Sequence, residues 1–252
     1  MYELSSSIGR IKRSLNEVMG RLLPANVQAY TQTLNFVKFR EAQLFVKFIR
    51  GSPQASCINI GSGEGYHSIL LAKRFRLFVN LDADFSRPRD SPSRANGIQS
   101  VCASGTHLPF NQGSFDSVIC ISAIEHFDNQ DLAYQEFSRV LRSGGFTTLT
   151  TDSLLGAPAE VKRVHMGDYH VKHYCSKSCL TSHVLTHSFQ FRRFEYFIIP
   201  YFSKKIFDFG VLSHFGVGFS VLFPWAVFAD LIANAFTEST MGYFMFAQIV
   251  KP

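Results

Sequence analysis

Ile58-Asn59-Ile60-Gly61-Ser62-Gly63-Glu64-Gly65-Tyr66 is the stretch on which the reading of this chain turns. Ser56–Ile60 reads as a buried strand, and helical spacing begins about Tyr66. Between them stand Gly61, Gly63 and Gly65. Glycines after a buried strand and before a helix let backbone approach a ligand closely at a helix N-terminus. Alone, the pattern also fits an ordinary turn.

The texture continues outward in both directions. Arg76–Leu81, Gln99–Ala103, Ser117–Ser122 and Thr147–Thr151 are short apolar runs that predict a second, third, fourth and fifth strand. Helices are expected over about 66–74 and 129–141, the latter capped by Asp128 and closed by Gly144-Gly145. Strands alternating with helices predict an α/β fold, a parallel sheet covered on both faces. Upstream, Ile8–Leu23 has helical spacing with basic residues between its apolar positions, and Tyr30–Ile49 forms a second helical stretch. Downstream, Ser176–His187 looks helical, while Phe189–Ile199 and Tyr243–Val250 look like strands.

Asp82 sharpens the glycine signal. It ends the second strand, 17 residues past Gly65. An acid there can hold the two neighbouring hydroxyls of a ribose, because both donate naturally to one carboxylate.

Two further segments separate the nucleotide-binding folds. One is Leu108-Pro109-Phe110 followed by Gly113-Ser114-Phe115-Asp116-Ser117-Val118; the other is Arg139-Val140-Leu141-Arg142-Ser143-Gly144-Gly145-Phe146. With Ser122-Ala123-Ile124-Glu125-His126-Phe127 between them, residues 55–151 resemble the class I S-adenosylmethionine-dependent methyltransferases. The likeness is greatest to the small-molecule branch that includes the ubiquinone and menaquinone C-methyltransferases. The resemblance implies a Rossmann-like seven-stranded sheet, five parallel strands plus an antiparallel terminal pair, with helices on both faces. Phe189–Ile199 and Tyr243–Val250 would supply that pair. It implies S-adenosylmethionine as cofactor, held by Asn59, Gly61, Ser62, Gly63, Gly65, Asp82, Ala83, Ser104, Gly105 and Ser122. Two positions depart from the family pattern. Asn59 stands where an acid is usual, and Ser104 where an Asp commonly meets the adenine amine. Both keep hydrogen-bonding capacity but lack charge.

Methyl transfer to oxygen often needs a base, and His126, just past the fourth strand, is the expected one, since imidazole titrates near neutrality. Glu125 is expected to face solvent. A second cluster holds His170, His173, Tyr174, Cys175, Cys179, His183 and His187. Cys179, His183 and His187 would share one helix face, a row that can bind zinc. One straight helix spreads such a row over ~12 Å, so a tetrahedral site would need ligands from other segments. The resemblance explains the stretch as a turn into a helix, and no metal is expected.

Phe209–Ala229 is 21 residues without Lys, Arg, Asp or Glu, long enough for a span of ~20 residues. Flanking strands in one sheet would put both its ends on the same side, which argues against a single crossing. The expected organisation is therefore an N-terminal helical lid or basic amphipathic segment over 1–50 and a methyltransferase domain over 51–252. Within that domain lies an apolar helical insert at about 203–240, either a lid over the acceptor pocket or a peripheral membrane element.

The composition narrows the rest. The net charge of +6 comes from the N-terminus, where residues 1–50 carry eight Lys and Arg against three acids. Cationic faces favour anionic head groups. The excess is too modest, and base-amine motifs too absent, for nucleic acid to be expected. The 26 phenylalanines suggest a small, hydrophobic or lipid-linked acceptor. Five cysteines without framework spacing, Cys57, Cys102 and Cys120 reading as core residues, and an opening without a signal-peptide pattern suggest the cytoplasm. The alternative function is a non-catalytic methyltransferase-like module that docks to a membrane or protein partner. A nicotinamide oxidoreductase shares Asp82 and the glycines but not the Leu108-Pro109-Phe110 and Gly144-Gly145 context.

Overall fold

The structure is a computed structural model that describes residues 36–49, 51–84, 98–198, 201–212, 228–229, 232 and 242–252. The expected helix over 8–23, most of the N-terminal segment and most of the 203–240 insert lie outside the described residues.

The described elements run α1 (Phe36–Phe48), β1 (Ser56–Ile60), α2 (Tyr66–Leu71), β2 (Leu77–Asp82), β3 (Gln99–Cys102), β4 (Phe115–Ile121), α3 (Gln130–Val140), β5 (Leu141–Asp152), α4 (Ala159–Tyr169), α5 (Lys177–Thr186), β6 (Gln190–Phe197), α6 (Tyr201–Leu212) and β7 (Phe244–Val250). The strands form one seven-stranded sheet in the order β3-β2-β1-β4-β5-β7-β6. β1 to β5 are parallel, and β7 runs antiparallel between β5 and β6. This is the Rossmann-like arrangement the sequence predicts.

Alternation along the strands sorts the core into two layers. Cys57, Ile119 and Ile121 point to the layer packed with Val37, Phe45, Leu71, Val161 and Phe207, so α1, α2, α4 and α6 cover that face. Ile58, Ile60, Val118 and Cys120 point the other way, against Ala133, Phe137, Leu180 and Val184 of α3 and α5. Because both faces are covered, β1 is buried at every position, which is why it reads as an unbroken run rather than an alternation.

Several local expectations need correcting. Asn129, not Asp128, caps α3: its side chain accepts from the Leu132 N–H. Gly144-Gly145 does not close that helix. Leu141 is already extended and pairs with Phe115, and a register shift follows before Phe146 pairs with Ser117. Cys102 is exposed on the edge strand rather than in the core, whereas Cys57 and Cys120 are buried.

Candidate active site

The parallel strands end on one side of the sheet, and a cavity of about 670 Å³ opens there. In open α/β sheets that edge, where the strand order reverses, is where ligands bind. Here β1 is the reversal, flanked by β2 and β4.

One end of the cavity is backbone-rich and is lined by Gly61, Gly63, Asp82, Ala83, Gly105 and Ser122. The loop after β1 is tied to the end of β2: the N–H groups of Gly61 and Ser62 both donate to the Leu81 carbonyl, at 2.8 and 3.0 Å. Gly61 has φ +69°, and a Cβ there would stand 2.4 Å from that of Ala123. Glycine is therefore required by conformation and by space. Gly63 also has a positive φ, but a Cβ on it would meet nothing within 4 Å, so open space adjoins that residue. The Asp82 carboxylate accepts from the Gly63 N–H at 2.7 Å and from the Asp84 N–H at 3.0 Å, which fixes it at the end of β2.

Not every expected cofactor residue reaches this space. The Asn59 amide donates to Ser68 Oγ at 2.9 Å, and that hydroxyl donates to Asn80 at 2.6 Å, a buried chain behind the loop. Ser104 is exposed and pairs its hydroxyl with Thr106 at 2.7 Å, stiffening the turn after β3. Ser62 and Gly65 shape the loop through the Gly65 N–H to Ser62 carbonyl bond without lining the cavity.

The other end is rich in titratable groups. His126 is in the wall; its Nδ1 donates to the His170 carbonyl at 3.1 Å, which leaves Nε2 as the basic nitrogen of the neutral ring. Glu125 does not face solvent as expected. It is 1% exposed, lines the cavity, and neither carboxyl oxygen has a hydrogen-bond partner among the described residues. Burial, and next the charge of Asp152, holds its carboxyl well above the ordinary range. Asp152, at the end of β5, is pushed up to about 7 by burial, with Lys38 opposing and Glu41 adding.

These partners come from α1. Lys38 lies in the cavity wall and pairs with Glu41 at 3.0 Å. Glu41 accepts from Ser122 Oγ and, at 2.8 Å, from Thr150 Oγ1, so α1 is anchored on β4 and β5. His165 of α4 completes the group. The Tyr174 hydroxyl donates to the Lys162 carbonyl, so its oxygen accepts from His165 Nδ1, at 3.0 Å. His165 Nε2 then faces Asp152 at 3.7 Å. Burial brings the His165 imidazole down to about 4, so it is neutral at pH 7. Sequence reasoning missed Lys38, Glu41, Asp152 and His165, which are far apart along the chain and meet only at the sheet edge.

Residues 58–149 match the family model described as a methyltransferase domain. An uncharacterized methyltransferase of Mycobacterium sp. (strain JLS) is 31% identical over 99 residues, 39% of this chain and 39% of the relative. A mitochondrial 2-methoxy-6-polyprenyl-1,4-benzoquinol methylase of Leishmania donovani is 46% identical over 48 residues, 19% of this chain and 17% of that one. The chain thus spans well under two thirds of these relatives. The crystal structure of geranyl diphosphate C-methyltransferase from Streptomyces coelicolor A3(2), in complex with Mg2+, geranyl diphosphate and S-adenosyl-L-homocysteine, has a TM-score of 0.64 at 11% identity. The match covers 85% of this chain and 78% of that one, and it is a likeness of fold. Residues 58–149 are thus similar in sequence to methyltransferase domains, and the fold around them is similar to that of a solved methyltransferase.

Proposed function

We propose that the protein is an S-adenosylmethionine-dependent methyltransferase acting on a small, hydrophobic or lipid-linked acceptor, in the branch nearest the quinone C-methyltransferases. The observation that carries this reading is Asp82, fixed by the Gly63 N–H over a glycine-lined cavity at the strand ends. Each of its oxygens already accepts one backbone bond and retains capacity for a ribose hydroxyl. The open space at Gly63 fits the remainder of a nucleoside. In this reading Gly61, Gly63, Asp82, Ala83, Gly105 and Ser122 line the cofactor, and Asn59, Ser62, Gly65 and Ser104 hold that wall in shape.

When bound, the cofactor supplies an electrophilic methyl group on a sulfonium. The chain's own residues position the acceptor and take its proton. Val37, Val171, Phe207 and Phe244 offer an apolar wall. Glu125 and Asp152 are the base: buried in the same wall, with burial raising both carboxyls, they can receive the hydrogen of an acceptor O–H or activated C–H. His126 is the second base, at the wall beside His170. Lys38 neutralises Glu41 and keeps the local field from becoming prohibitively negative.

The insert supplies a route to membrane-borne acceptors in the same reading. Tyr201 and Phe209 of α6 are 76% and 69% exposed, and Phe228 and Ile232 are exposed as well. No helix among the described residues is long and apolar enough to cross a membrane, so the contact would be peripheral.

Calorimetric titration with S-adenosylmethionine and S-adenosylhomocysteine tests the cofactor, with NAD as control. A Kd of ~1–100 µM for both, weakened at least tenfold by Asp82→Ala, is expected. Absence of binding overturns the enzyme reading and leaves the non-catalytic module. Sedimentation with anionic vesicles at low salt tests the membrane contact; protein that stays in the supernatant overturns it.

A further inference from the structure

α3 and α5 lie side by side on the sheet face away from Phe207 and the α1 layer, and none of the three residues considered next lines the cavity. His183 lies in the last turn of α5, and His187, four residues on, is the residue that caps that helix. They meet Asp131, in the first turn of α3. His183 Nδ1 is 2.9 Å from Asp131 Oδ1, and His187 Nε2 is 3.3 Å from the same oxygen. The three ligand atoms all lie within 4.8 Å of one another.

The rings are held in place before any ligand arrives. Tyr134, the next residue along that side of α3, is 1% exposed. It stacks on His183 at 5.0 Å between centroids and on His187 at 6.2 Å, both at 15°. Both imidazoles are mostly covered, their side chains 17% and 15% exposed, whereas Asp131 is 65% exposed. One side of the trio is thus open to water and the other is rigid. The segment that a single helix lacks for a tetrahedral site is α3.

We propose that Asp131, His183 and His187 form a Zn2+ site that joins α3 to α5, with water in the fourth position. Two imidazoles and a carboxylate are a donor set suited to this ion, with bonds of about 2.0–2.2 Å. Donors on a tetrahedral ion of that size stand about 3.4 Å apart; the two imidazole-to-carboxylate spacings, 2.9 and 3.3 Å, are close to this, and all three atoms lie within 4.8 Å of one another. The ion would displace the hydrogen bonds to Asp131 and leave the backbone where it is. The hydrogen bonds from both imidazoles hold the Asp131 carboxyl below its ordinary range, so it is an anionic ligand at neutral pH. The site lies outside the cavity and takes no part in methyl transfer.

The test is titration of the chelator-treated full chain with Zn2+ by calorimetry, and with Co2+ by visible spectroscopy. One equivalent binding with a Kd of ~10 µM or tighter at pH 7.5 is expected. Asp131→Asn and His187→Ala should each weaken it at least tenfold, as ligand loss does, while His107→Ala, elsewhere on the surface, leaves it unchanged. A Kd weaker than ~100 µM overturns the proposal. So does binding that both ligand variants retain. A sulfur-to-cobalt charge-transfer band would assign the ion to Cys175 and Cys179 instead, and overturns it too.

Discussion

Asp82 spends one carboxylate oxygen on the Gly63 N–H and the other on the Asp84 N–H, so replacing it disturbs the loop as well as any ligand. Asp82→Asn, which keeps one acceptor oxygen, should therefore bind cofactor more tightly than Asp82→Ala and more weakly than the native chain, an order calorimetry can check. Glu125 makes the sharper kinetic prediction. Glu125→Gln should lower kcat by ~10²–10³-fold in single-turnover assays, the usual size of a lost acid–base partner. The native rate should rise with pH through about 7, where the Asp152 carboxyl titrates. Asp152→Asn should abolish that limb, because the group that titrates there is gone. The place of Asp82 was legible in the sequence, since it ends a strand next to the glycine loop. Glu125 was not: in Ile124-Glu125-His126 nothing marks which of two adjacent polar side chains turns inward. The deciding contacts are the Lys172 and His173 N–H groups, which donate to the Glu125 carbonyl and draw a distant loop over it.

Among the elements, the buried parallel strands were the most legible, because a strand covered on both faces is mainly apolar on both, with only a few buried polar residues such as Asn59 and Asn80 within it. β5 was underestimated by six residues at its start. Leu141–Gly145 contains two glycines and exposed Arg142 and Ser143 and looks like a turn, yet Gly144 and Gly145 are bonded to Lys251 beyond β7. Pairing from a remote strand outweighs local propensity there. Arg139 of α3 shows the same long reach. Its guanidinium donates to the carbonyls of Phe110 at 2.6 Å and Leu108 at 2.9 Å, while Glu136, its ion-pair partner, accepts from the Leu108 N–H at 2.6 Å. Two of the segments that carried the family resemblance are therefore one hydrogen-bonded unit. Arg139→Leu should cost ~1–3 kcal/mol, from lost bonds to a charged group, measurable by urea unfolding. Gly61→Ala should cost a similar ~1–3 kcal/mol, since the new methyl meets Ala123 and the positive φ disfavours it.

For the molecule as a whole, the cavity ties stability to pH. The folded-state pKa of Asp152 is raised to about 7, so its contribution is complete below its unfolded value of about 3.9 and is lost as pH climbs toward 7. Burial brings His165 in the cavity wall, and His67 on α2 outside it, down to about 4. Their contribution is present above about 6.5 and is lost as pH falls toward 4. Asp152→Asn should thus raise the melting temperature more at pH 8 than at pH 5, by at least ~2 °C, as thermal scans at the two pH values would record.

The position of β7 bears on how the chain is made. The last described strand in sequence lies between β5 and β6, so a nascent chain emerging from a ribosome holds two unpaired sheet edges until residues 244–250 clear the exit tunnel. Those edges are templates for association with other chains. A chain ending at residue 243 should therefore aggregate more readily than the full chain in a refolding assay.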